Sequence, residues 1–208
     1  MATVERAVFE AHDEARELRR RMPRLPVREL LGRSREIMAS KTGLSVDELV
    51  SVIREAFDSI DPERLVYKDV PPALESLSRW GVEMGIVGNT LFWESADTRR
   101  LLRRAGISGF FKYMLFSDEV GYSKPDREIF LEFSRLTGVH PGKIIYVGDN
   151  VVEDVGGALS SGMLGVLIKR SAEKSIFVHD VKAGVINDMR RLVTLYDELS
   201  REMCGERE

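Results

Sequence analysis

Along the first third of the chain apolar residues return at helical spacing. Val4, Val8, Ala11, Ala15, Leu18 and Met22 form one stripe with charged residues between them, which predicts an amphipathic helix broken by Pro23 and Pro26. A second helix is expected from Val27 to about Ser40. A third opens at Ser45, where Glu48 stands as a capping-box partner, and continues to about Ser59.

Further on the pattern changes. Val70-Pro71-Pro72 starts a helix, proline being tolerated in a first turn, and Gly81 ends it; the apolar run Val82 to Val87 follows and closes on Gly88-Asn89. A helix from about Ser95 to Ala105, a strand around Tyr113 to Phe116, a helix Asp126 to Thr137, a strand Ile144 to Val147, a helix Val152 to Ser161 and a strand Leu164 to Ile168 then alternate. The runs Met84-Gly85-Ile86-Val87 and Ile144-Ile145-Tyr146-Val147 lack polar alternation, as strands covered on both faces do. Ile176-Phe177-Val178 reads as an edge strand, and Val185, Met189, Leu192, Leu195 and Leu199 as the apolar positions of a closing helix. The expected fold class is α/β, a doubly wound and mostly parallel sheet. Residues 1–67 form a helical segment ahead of an α/β core at 68–208.

Composition narrows the partners. With 43% apolar and 31% charged residues the chain can bury a substantial core, and a formal charge of −3 gives no positive field to gather nucleic acid or anionic lipid. The basic run Glu17 to Met22 reads as a solvated helix face. No apolar stretch is long enough for a membrane span or signal peptide, and the single cysteine, Cys204, suits a reducing compartment, so the cytoplasm is the expected location. Glutamine is absent and asparagine occurs only at Asn89, Asn150 and Asn187, a bias that accompanies high-temperature proteins.

Ligands in parallel sheets bind at the turns after the strands, and three such segments carry chemistry. In Gly148-Asp149-Asn150-Val151-Val152-Glu153-Asp154, Asp149 leaves a buried strand and Asp154 follows in the next helix. Two such carboxylates repel unless a cation sits between them, which makes Mg²⁺ one resolution; helix capping by Asp149 with a solvated Asp154 is the other. Ser123-Lys124-Pro125-Asp126 sets a lysine just before a helix, where its ammonium can pair with a phosphate, although taken alone the dipeptide is better explained by a surface lysine. Gly88-Asn89-Thr90 offers an amide, a hydroxyl and backbone N–H groups suited to a phosphoryl oxygen, or an ordinary turn.

Taken in order, these segments resemble the haloacid dehalogenase-like hydrolase superfamily. Thr90 matches that family's hydroxyl motif, Lys124 its lysine, and Asp149 with Asp154 its acidic pair, and the glycine-rich stretch Val155-Gly156-Gly157-Ala158 through Gly162-Met163 is similar too. The helical block before Lys68 resembles the family's small helical cap, with Tyr67 near the entrance it would shape. The resemblance implies a phosphatase acting on a small phosphate monoester. Asn89, Thr90 and Lys124 would hold the phosphoryl group, Asp149 and Asp154 would hold Mg²⁺, and Asp154 would also orient Lys124.

The family opens with an apolar strand ending in Asp-x-Asp, whose first aspartate attacks phosphorus and whose second is the general acid and base. Nothing here matches it: Arg6-Ala7-Val8-Phe9 would place Ala11 and Asp13 at the two acidic positions, in a helical pattern, and Asp180 after Ile176-Phe177-Val178 is a distant substitute. The first central strand is therefore expected to be absent. Three arrangements account for that: a segment ahead of residue 1, strands closed up around the gap, or a strand swapped in from another copy through the incomplete sheet. The first is favoured, and the chain as written is expected to be inactive. A non-catalytic phosphate-binding or scaffolding protein is the alternative. A haloacid dehalogenase fits less well because those enzymes need no metal, and a receiver domain places its acidic cluster early in the chain. His12, His140 and His179 are scattered, and Trp80 and Trp93 read as packing residues.

Overall fold

A computed structural model describes residues 2–22 and 25–204, and gives side chains for residues 5–22 and 25–201. Pro23 and the side chains of Val4 and Cys204 lie outside the described parts. The chain divides into two compact units, one of Met1–Leu65, Val87–Ser108 and Leu115–Ser123, the other of Val66–Ile86, Gly109–Met114 and Lys124–Glu208.

The first unit is helical. It holds α1 (Ala2–Arg21), α2 (Val27–Thr42), α3 (Val46–Ser59), α5 (Ser95–Arg104) and the short α6 (Ser117–Val120). Ala11 and Ala15 of α1 are fully buried, small enough for α2 to approach closely, and Met38, Ala39, Leu49 and Phe92 complete the core around them. The capping box at Ser45 forms: Ser45 N–H donates to Glu48 at 2.8 Å and Glu48 N–H to the Ser45 hydroxyl at 3.3 Å. The far end of α3 is closed by Arg104, whose guanidinium donates to the carbonyls of Phe57 and Ile60.

The second unit is the α/β part. It contains α4 (Val70–Arg79), α7 (Arg127–Thr137), β3 (Ile145–Gly148), α8 (Gly157–Ser160), β4 (Leu164–Ile168), β5 (Ile176–Val178), β6 (Ala183–Ile186) and α9 (Arg190–Cys204). Its sheet runs β3-β4-β6-β5, with β3/β4 and β4/β6 parallel and β5 antiparallel at the edge. Strand side chains alternate between faces. Ile145, Val147, Val166, Ile168 and Ile186 pack with Leu77 of α4 and with Leu192 and Leu195 of α9. On the opposite face Tyr146 meets Phe130 of α7, and Gly165 lies against Val155 and Leu159. The sheet is thus wound on both faces, an α/β architecture of mostly parallel strands.

β1 (Met84–Gly88) and β2 (Phe111–Phe116) pair in a separate two-stranded sheet. Among the described residues no ladder joins β1 to β3, so the strands have not closed up into one sheet. Two local expectations are corrected. Val185 belongs to β6, not to the closing helix, which begins at Arg190. β6 is hidden in the sequence by Gly184, a residue that weakens strands; it is needed because a Cβ there would lie 2.6 Å from the Phe177 ring and 2.8 Å from the Ile176 carbonyl. The helix expected from Val152 to Ser161 is instead a π-helical turn, Val151–Gly156, followed by α8. Among the described residues no helix is long and apolar enough to cross a membrane.

Candidate functional site

β3 ends at Gly148, and the chain turns through an exposed Asp149 into the π-helical turn. Asn150 caps that turn, its side-chain oxygen accepting from Val152 N–H and Glu153 N–H, both at 3.0 Å. The turn carries Asp154 back against the strand end, where its Oδ2 accepts from Asn150 N–H at 2.9 Å. Only glycine at position 148 permits this approach, since a Cβ there would lie 2.2 Å from Asp154 Cγ. Asp154 is buried as a result.

Lys124, which joins Pro125 through a cis peptide just ahead of α7, reaches the same carboxylate. Its Nζ donates to Asp154 Oδ1 at 2.7 Å, and 13% of the lysine side chain and 5% of the aspartate side chain are exposed. An ion pair so withdrawn from water is screened little by salt. Tyr146 supplies a third group: its hydroxyl donates to the same oxygen at 3.3 Å, and the Lys124 ammonium lies 5.7 Å from its ring centroid. Burial, followed by the negative charges of Asp154, Asp149 and Glu153, holds the phenol well above its ordinary pKa, so Tyr146 stays a donor. Phe130 steadies the ring edge-on at 5.0 Å, and Gly157 leaves room for it, because a Cβ there would lie 2.4 Å from Phe130.

The acidic pair divides into two environments. Both oxygens of Asp154 already accept from protein donors, whereas Asp149 presents its carboxylate to solvent. Among the described residues no group of three or more His, Cys, Asp or Glu is placed to hold a metal ion. Asp149 fits one protein ligand of a Mg²⁺ ion, which commonly keeps several waters and shares a phosphate. Asp154, committed to Lys124, fits a positioning role.

Thr90 and Asn89 belong to the other unit, in the turn after β1. Thr90 is 3% exposed; its N–H donates to the Ser117 hydroxyl at 2.9 Å, and the two hydroxyls share a hydrogen bond of 2.9 Å. Asn89 is half-buried. Of the substitute acids, Asp13 lies on α1 with 85% of its side chain exposed, and Asp180 lies exposed in a 3₁₀ turn after the antiparallel edge strand.

The sequence reading did not single out Tyr146 or Ser117. A tyrosine inside the apolar run of β3 was a usable signal, because a buried phenol needs a partner for its hydroxyl. Ser117 carried none, its role arising only from the return of β2 beside β1.

The sequence profile of the haloacid dehalogenase-like hydrolases matches residues 6–168. A Methanopyrus kandleri protein named glyceraldehyde 3-phosphate phosphatase is 34% identical over 142 residues, which are 65% of this chain and 58% of that protein, so the chain spans well under two thirds of that relative. A protein of the same name from Methanocaldococcus jannaschii is 27% identical over 179 residues, 78% of this chain and 76% of its own. Among solved structures, the HAD phosphatase from Thermococcus onnurineus superposes with a TM-score of 0.54 at 28% identity, over 82% of this chain and 89% of that one.

Proposed function

This chain belongs to the haloacid dehalogenase-like hydrolase family, and from that premise we propose that it handles the phosphoryl group of a small phosphate monoester in Mg²⁺-dependent hydrolysis. The observation that carries the reading is the buried Lys124–Asp154 pair at the C-terminal end of a parallel strand. An ammonium fixed by a carboxylate presents a positive charge without reorganisation, which is what an incoming phosphoryl oxygen requires.

In this reading Lys124 binds a phosphoryl oxygen and Asp154, with Tyr146, holds the lysine in place. Asn89 and Thr90 provide further donors to the phosphoryl group. Asp149 is the protein ligand of Mg²⁺, and the ion supplies neutralisation of phosphate charge when bound. Residues 1–67 serve as the substrate-selecting cap segment and 68–208 carry the phosphoryl chemistry. Relatives named for glyceraldehyde 3-phosphate make that three-carbon ester the first substrate to assay. A reducing, cytoplasmic setting suits a chain with one cysteine.

One observation favours a second reading, a protein that binds phosphate without turning it over: no Asp-x-Asp pair occurs anywhere in the 208 residues. The test measures release of phosphate from glyceraldehyde 3-phosphate and p-nitrophenyl phosphate with Mg²⁺, and calorimetric binding of inorganic phosphate, for the chain and its Lys124→Met and Asp149→Asn variants. Phosphate binding lost in Lys124→Met supports the phosphoryl site; turnover lost in Asp149→Asn supports the enzyme, and binding without turnover supports the second reading. Phosphate binding that Lys124→Met leaves unchanged overturns both.

A further inference from the structure

β5 is one of the two outer strands of the four-stranded sheet, β3 being the other, and among the described residues it pairs with β6 alone. Its register, Ile176 with Val185, Phe177 with Gly184 and Val178 with Ala183, turns Ile176 and Val178 to one face and Phe177 to the other, where Phe177 joins the core around Leu77 and Val166. Ile176 is 60% exposed and Val178 48%, and Val181 just beyond the strand is 59% exposed. A bare apolar edge is a template for pairing with another chain, and folded proteins usually blunt such edges with charges or proline. This strand has neither within it.

We propose that a second copy of this chain docks here, β5 pairing antiparallel with the partner's β5 about a two-fold axis at Phe177. The occupant is identified by self-complementarity, which an isologous interface demands. That axis sets residues equally far on either side of Phe177 against each other. Ile176 then meets the partner's Val178 on one face of the ladder, an aliphatic pair at cross-strand spacing. Lys174, exposed just before the strand, comes within reach of the partner's Asp180, exposed in the turn after it. Each contact occurs twice, so the edge offers two aliphatic pairs and two ion pairs of opposite charge to itself.

The ladder is only three residues long, which makes a weak, reversible dimer. The inference stands apart from the phosphoryl site. Sedimentation equilibrium of the 208-residue chain, from low micromolar to near-millimolar concentration, tests it. We expect a monomer–dimer equilibrium that Lys174→Asp weakens about tenfold, that Asp180→Lys weakens similarly, and that the double exchange restores. An equimolar mixture of the two single variants should also associate, because each carries the charge the other lacks. Ile176→Lys should leave a monomer with the circular dichroism of the wild type. A wild-type monomer at every concentration, or a dimer that none of these charge exchanges moves, overturns the proposal.

Discussion

Lys124 Nζ and Asp154 Oδ1 lie 2.7 Å apart with little of either side chain in water. A buried pair costs most when only one partner is removed, because the other charge stays desolvated. Lys124→Met and Asp154→Leu should each lose about 3 kcal/mol, the low end of that range because the lysine keeps some solvent contact. The double variant should lose less than the sum, the remainder reflecting Asn150 N–H and the Tyr146 hydroxyl left without Asp154. Urea unfolding of the four proteins measures the coupling, and strictly additive losses would mean the pair is not a unit in solution.

Gly148 makes that pair possible. A methyl group there would lie 2.2 Å from Asp154 Cγ, so Gly148→Ala must push the carboxylate off the strand end. We expect about 1–3 kcal/mol of destabilisation together with weaker binding of inorganic phosphate. Gly109→Ala is the control, since a Cβ at that position meets nothing within 4 Å. Equal effects of the two substitutions on unfolding would show that the loss reflects backbone freedom alone.

Much of this architecture is legible in the sequence. The capping box at Ser45, the apolar runs of β1 and β3 and the edge strand at Ile176 are each encoded by local spacing, and local spacing survives folding. β6 was not legible, because Gly184 is explained only by the Phe177 ring that crosses it. Likewise the spacing of Asp149 and Asp154 leaves open which is buried, a capping Asp149 with a solvated Asp154 being one reading, yet Asp149 is the exposed one and Asp154 the buried one. That difference is set by the π-helical turn and by a lysine thirty positions away, neither of which leaves a periodic trace.

Two acidic groups tie α4, α9 and the loop after β4 and should give the fold an acid limit. Asp69 is pushed up by burial, but the Arg170 guanidinium and Met189 N–H, at 2.8 and 2.7 Å, bring it below its ordinary value. Asp188 falls to about 2 under the hydrogen bond from Arg190. A carboxylate depressed on folding contributes above its unfolded pKa, and the contribution disappears as pH falls through that value toward the folded one. Stability should therefore hold above about pH 4 and drop between about pH 4 and 2. Thermal unfolding across that window should show a shallower drop for Asp188→Asn than for the wild type, with parallel curves above about pH 5. An unchanged slope would mean the Arg190 bond is not made in solution.

Tyr146 separates a hydroxyl that donates from one that titrates. Its 3.3 Å bond to Asp154 Oδ1 is long for two oxygens, so Tyr146→Phe should cost only about 0.5–1.5 kcal/mol. Because burial and the surrounding carboxylates raise the phenol's pKa well above its ordinary value, the proton remains on it at neutral and mildly alkaline pH. The difference in unfolding free energy between wild type and Tyr146→Phe should accordingly stay constant from neutral pH to about pH 9. Inorganic phosphate should bind the variant more weakly as well, since Asp154 would then be fixed by one donor fewer while it holds Lys124. A stability difference that changes across this range would reveal a phenol that ionises, and an unaltered phosphate affinity would confine Tyr146 to packing against Phe130.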